Sequence, residues 1–164
     1  MVSQEILKVI DILNKILNGN MIVTGSVALD LNNIIIRRNP VDIDIIIDQE
    51  DISSIYYKEK SGDYDLSVVE FDDNSSETTY ANMKLIVNNI KVDMLVSTDF
   101  DREINDAITY MHTTSMQPVT FFISDTNNIL NAKIKYGLND TNADSKLKHL
   151  EDVVYIIANN NLLI

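Results

Sequence analysis

The sequence predicts an α+β fold, an α/β mixed sheet flanked by helices. Amphipathic helical stretches bracket the chain, and between them apolar runs of strand length alternate with polar turn signals. Composition agrees: 164 residues, 45% apolar and 23% charged, suffice for a conventional core. A domain of this size buries roughly 70% of its unfolded surface. The whole chain, 1–164, reads as one domain with helices over 125–160 packed on it.

The first helix spans 3–18. Ser3 caps it, Ile6, Ile10, Leu13 and Leu17 form one stripe, and Gly19 ends it. MIVTG (21–25) is a short strand ending on glycine, and SVALDLNN (26–33) turns into a helix from there. VDIDIIID (41–48) is the second strand, and 51–60 reads as a short helix. DLSVVEF (65–71) and ANMKLIVN (81–88) are strands, with the polar DDNSSETT between Phe71 and Tyr80 as a flexible loop. An Asn88-Asn89 turn leads into IKVDMLV (90–96) as a hairpin. Residues 101–111 read as helical, and VTFFI (119–123) as a strand. Ser124 or Asp125 then caps a helix ending near Gly137. LNDTNADS is a loop before the last helix, SKLKHLEDVVYIIANN, in which Leu147, Leu150, Val154 and Ile157 recur at helical spacing.

Bulk charge narrows the function classes. Thirteen basic residues against 25 acidic ones give a net charge of −12. Such a chain repels nucleic-acid backbones at long range, so general DNA binding is not expected. A nucleotide is still compatible, because divalent cations reverse the field of an acidic site. There is no cysteine, which excludes disulfides and thiolate metal sites and fits a cytoplasmic location. No membrane span is expected, since no apolar window is long enough. MVSQEILKVI lacks the basic start of a signal peptide.

The chemistry concentrates in VDIDIIID. Positions i and i+2 of a strand share a face, so Asp42 and Asp44 point the same way while Ile43 and Ile45 enter the core. Adjacent carboxylates raise one another's pKa, a penalty that Mg²⁺ removes. Asp93 is a third lone acid in an apolar strand; each of the three read singly could equally sit on a solvated face. Gly25-Ser26, at a strand–helix junction, permits close backbone approach and offers first-turn N–H groups to phosphate, although such junctions are also ordinary packing devices. Arg37 and Arg38 suit bidentate phosphate binding or a solvated loop. Lys148 and Asp152 read as a surface ion pair at i,i+4. His112, His149 and the Tyr56-Tyr57 pair read as ordinary structural residues.

In combination, Gly-Ser, a helix, Asp-x-Asp between apolar residues and a later strand Asp resemble the nucleotidyltransferase superfamily typified by DNA polymerase beta. Arg38-Asn39-Pro40-Val41-Asp42-Ile43-Asp44 keeps the spacing of the Arg-x-Thr-x-Asp-Ile-Asp found in small members, with Pro40 in place of the threonine. Lys133 falls where those members carry a helical lysine, and Lys148 and Asp152 match a Lys…Asp pattern in their last helix. The interval from Ser26 to Asp42 is slightly longer than usual. The resemblance covers almost the whole chain and is closest to minimal single-domain members, including the toxins of toxin–antitoxin and phage-defence systems.

The resemblance implies a minimal nucleotidyltransferase fold and transfer of an NMP from an NTP, such as ATP, to an acceptor hydroxyl. It implies Asp42, Asp44 and Asp93 as catalytic Mg²⁺ or Mn²⁺ ligands. Gly25, Ser26, Arg38 and Lys133 would bind the nucleotide. The acidic balance favours a small-molecule or protein side-chain acceptor. A tRNA end stays open if Arg37, Arg38, Lys133, Lys135, Lys146 and Lys148 form a local basic face. The alternative is a non-catalytic nucleotide- or protein-binding module on the same fold.

Overall fold

The computed structural model describes residues 1–72, 80–113 and 118–162. In chain order the helices are α1 (Gln4–Ile16), α2 (Gly25–Leu31), α3 (Ile52–Ser61), α4 (Phe100–Asn105), α5 (Thr126–Asn139) and α6 (Ala143–Asn160). The strands are β1 (Met21–Thr24), β2 (Ile43–Asp48), β3 (Leu66–Asp72), β4 (Tyr80–Val87), β5 (Ile90–Ser97), β6 (Ala107–Thr113) and β7 (Pro118–Ser124). They form one seven-stranded mixed sheet in the order β3-β4-β5-β2-β1-β7-β6. The β1–β7 and β2–β5 pairs are parallel, and the other neighbours are antiparallel.

Strand alternation divides the core. Ile43, Ile45 and Ile47 of β2 join Val23, Val92 and Met94 on one face, under the apolar sides of α1, α2, α3, α5 and α6. Ile22 and Ile46 turn to the opposite face, where Phe100 and Ile104 of α4 cover them. Burying each such isoleucine contributes roughly 1.5–3 kcal/mol, which is why the IDIIID register cannot slip by one residue. Asp44 lies between two of these core residues yet on the α4 side of the sheet.

Local signals set most boundaries. Ser3 Oγ accepts from Ile6 N at 3.2 Å, and Asp125 Oδ1 accepts from Asn128 N at 2.7 Å. Asn88 and Asn89 both have positive φ, 48° and 64°, as the two-residue β4–β5 hairpin requires. The expected loop over 72–79 falls largely on 73–79, outside the described residues.

Two expectations are corrected. The helix expected over 101–111 stops at Asn105, and Ala107–Thr113 is instead β6, an edge strand antiparallel to β7. Asn105-Asp106 interrupts the helix, and the alternation of AITYMHT lays Tyr110 on Phe121, ring centroids 5.3 Å apart. The last helix begins at Ala143, because the Asn142 side chain caps it by accepting from Asp144 N and Ser145 N. Among the described residues no helix is long and apolar enough to cross a membrane.

Candidate active site at the junction of β1, β2 and β5

The site is built by strand register. Thr24 of β1 is opposite Asp44 of β2, Asp44 is opposite Asp93 of β5, and Asp93 is opposite Lys84 of β4. Paired residues project on the same face, so the two carboxylates stand side by side on the α4 face of the sheet. Lys84 leans outward to Glu70 of β3, with Nζ 3.9 Å from Oε2.

Gly25 completes this corner. It opens α2 with φ +66°, and a Cβ there would lie 2.3 Å from Asp44 Oδ2. Only glycine fits: the chain must turn left-handed just where the carboxylate comes down on the backbone. Ser26 follows in the first turn of α2, half-buried. Asp42 immediately precedes β2 and is exposed, two residues from Asp44. Among the described residues, no three acidic, imidazole or thiol groups form a ready-made metal cluster. The close, in-register pair is Asp44–Asp93, with Asp42 at the rim.

Electrostatics single out Asp44. Burial is the main cause of its raised pKa, about 6. Asp93 adds the next largest push, Lys133 opposes it, and Asp42 adds a smaller push. Lys133, on α5, is the counter-cation. Burial lowers its pKa, while Asp152 of α6 and Asp44 favour its charge.

Arg38 is on the α2–β2 connection, and its Nη2 donates to Asp152 Oδ2 at 3.3 Å. Arg37 donates to Glu151 Oε2 at 3.0 Å and its other terminal nitrogen lies 2.8 Å from Asp152 Oδ1. Asp152 thus faces two arginines from a distant segment, where the sequence suggested Lys148 one turn away. Both arginines are matched by acids of α6, which reduces the surplus positive charge on that face.

One contributor, and the partners of another, escaped the sequence reading. Tyr136 is three residues beyond Lys133 on α5 and 49% exposed. Its phenol pKa is raised by burial first, then by Asp44 and Glu103. The i,i+3 spacing from Lys133 was the available signal. Asp152 was singled out in the sequence with Lys148, but its arginine partners gave no signal, since they lie more than a hundred residues earlier in the chain. His112 belongs elsewhere: on edge strand β6, its Nε2 is 3.8 Å from Asp11 Oδ2 of α1. Tyr56 packs against the core, whereas Tyr57 is largely exposed.

This mixed sheet with its flanking helices is a nucleotidyltransferase-like fold. Solved structures similar to it include two of nearly the same extent. TM1012 from Thermotoga maritima, a candidate nucleotidyltransferase, has 20% identity and a TM-score of 0.56 over 94% of this chain and 96% of its own. ANT(2")-Ia, solved in complex with adenylyl-2"-tobramycin, has 15% identity and a TM-score of 0.57 over 92% of this chain and 88% of its own. No protein-family model matches the chain. No match was found among curated proteins.

Proposed function

We propose that the chain is a metal-dependent nucleotidyltransferase that moves an NMP from an NTP to an acceptor hydroxyl. The observation that carries this reading is the in-register Asp44–Asp93 pair seated against Gly25 at the start of α2. Nothing in folding alone rewards placing two carboxylates side by side with one of them half-buried; a cation and a phosphate would.

The donor set fits Mg²⁺ or Mn²⁺, being all carboxylate oxygen, and Asp42, Asp44 and Asp93 would hold the ions. When bound, such ions neutralise triphosphate charge and stabilise the entering and leaving oxygens of an in-line displacement. The chain's own groups do the rest. Gly25 lets the backbone approach phosphate closely, and Gly25 and Ser26 offer N–H groups at the start of α2. Lys133 and Arg38 bring positive charge from two other segments. The acceptor oxygen bonds to the α-phosphorus, the bond to the bridging oxygen of the β-phosphate breaks, and pyrophosphate leaves. Asp93, on the outer side of the pair, takes the acceptor's proton. Pre-positioned charge of this kind supplies most of the rate enhancement.

The chain's acidity supports a small-molecule or protein side-chain hydroxyl over a long nucleic acid. The aminoglycoside product bound to ANT(2")-Ia supports the first of these. A tRNA end is the third acceptor class to screen. The deciding experiment pairs transfer assays with thermal unfolding, using Mg²⁺ and each NTP on wild type and Asp44→Asn. A bound NTP at about 100 times its Kd adds roughly 2.7 kcal/mol. In a chain of this size that is a midpoint shift of roughly 5–10 °C. The shift and the transfer should both vanish in Asp44→Asn. A nucleotide shift without turnover on any acceptor class would instead favour a binding module, and unchanged turnover in Asp44→Asn would remove Asp44 from the mechanism.

A further inference from the structure

The Lys…Asp pattern in α6 conceals a different geometry. Asp152 is 15% exposed and faces cations from two separate segments. Arg37 and Arg38 come from the α2–β2 connection, and Lys133, whose charge Asp152 favours, comes from α5. The two arginines are held differently. Arg37, 32% exposed, has one terminal nitrogen bonded to Glu151 and the other against Asp152, so both arms of its fork are occupied. Arg38, 55% exposed, is bonded among the described residues through Nη2 alone, to Asp152 Oδ2, and keeps its remaining donors. Arg37 contacts Asp152 Oδ1 off the hydrogen-bond axis, leaving that buried oxygen without an aligned donor.

Asn160 strengthens the same join. Its Oδ1 accepts from Ile35 N at 2.7 Å and its Nδ2 donates to Ile35 O at 2.9 Å, binding α6 to the connection in both directions. That connection carries Arg38 and delivers Asp42 to the head of β2. The α6 helix therefore braces the segment that supplies one candidate metal ligand and one candidate phosphate cation.

We infer that Asp152 is a positioning residue of the site: it holds Arg38 by one nitrogen so that the free donors of the guanidinium meet the triphosphate. This rests on the nucleotidyltransferase reading above. Arg37 is the structural clamp of the pair, and Glu151 serves Arg37 alone. An arginine already held by a carboxylate loses less freedom on meeting phosphate than one free in solvent.

The test is a double-mutant cycle on affinity for tripolyphosphate with Mg²⁺, the part common to all NTPs, measured by titration calorimetry. Asp152→Asn should weaken binding about tenfold, as should Arg38→Ala. The double variant should be no worse than Arg38→Ala by more than about twofold, because Asp152 acts through Arg38. Asp152→Glu should recover part of the loss, and Glu151→Gln should bind as wild type does. Tighter binding in Asp152→Asn would overturn the inference by making Asp152 a competitor for Arg38. Unchanged binding, or an undiminished Asp152→Asn effect in the Arg38→Ala background, would overturn it too. Should Asp152→Asn fail to fold, Asp152→Ser goes through the same cycle with the same outcomes. A wild type that binds nucleotide with Mg²⁺ but not tripolyphosphate overturns this inference alone. A wild type that binds neither overturns the nucleotidyltransferase reading with it.

Discussion

Asp44 and Gly25 are one device seen from two sides, and each makes a prediction. The pKa of Asp44 is raised from 3.8 to about 6 in the folded chain. Between about pH 4 and 6 the folded state therefore holds more protons at this group than the unfolded chain does, and stability falls as pH rises through that window. Below about pH 4 the penalty is absent, and above about pH 6 it is complete. In divalent-free buffer, Asp44→Asn should be more stable than wild type by about 1–3 kcal/mol at pH 7.5, with the gap closing near pH 4. Denaturant midpoints across pH measure this, and a gap that is constant with pH would refute the assignment. Gly25→Ala puts a side chain into a left-handed position, at about 1–2 kcal/mol, and drives Asp44 Oδ2 away. Transfer should fall at least about 100-fold, as expected for a reacting group displaced by about 1 Å. Near-normal turnover in that variant would mean that the Gly25–Asp44 contact is not part of the working site. These residues were legible in the sequence because an acid in a run of isoleucines is costly and a glycine after a strand is a break. Tyr136 and the arginine partners of Asp152 were not, because these neighbours come from segments that only the fold brings near.

Elements were legible where one local signal sufficed. The β4–β5 hairpin follows from Asn88-Asn89, and α1 from its cap and stripe. β6 was misread because AITYMHT follows a genuine short helix, and its strand character is settled by β7, which offers a free edge. The sequence placed α6 but not its job. Its packing on α5 is close: a Cβ on Gly137 would lie 3.0 Å from Leu150 Cδ2 and 3.3 Å from His149 Cβ. Gly137→Val should separate the two helices and cost about 1–3 kcal/mol of stability. Because α5 carries Lys133 and α6 carries Asp152, tripolyphosphate affinity should fall as well, in a protein that still folds. Urea unfolding and the same calorimetric titration report both effects; a destabilised variant with unaltered affinity would show that the α5–α6 spacing does not reach the site.

Strand order belongs to the whole molecule, and the sequence does not state it. β2 lies between β1 and β5, far apart in the chain, and that crossing brings Gly25, Asp44 and Asp93 together. The sequence could name the three but not align them. Net charge is a property of the same scale and was legible at once. With 25 acids against 13 bases, long-range repulsion works against the compact state, and the ion pairs of Arg37 and Arg38 offset it only locally. The two contributions respond to salt with opposite sign. Screening weakens exposed ion pairs, but it weakens the repulsion among many like charges more, since that acts over distances beyond the Debye length of about 8–10 Å. Raising NaCl from about 20 mM to about 300 mM, without divalent ions, should therefore raise the unfolding midpoint. Chloride is the anion to use, because sulfate stabilises by exclusion from the surface. The Asp44→Asn variant should gain slightly less from salt than wild type, having one fewer carboxylate to screen. A midpoint that falls with NaCl would mean that the arginine–carboxylate brace between α6 and the α2–β2 connection outweighs the repulsion of the whole chain, and would make that brace the main electrostatic support of the fold.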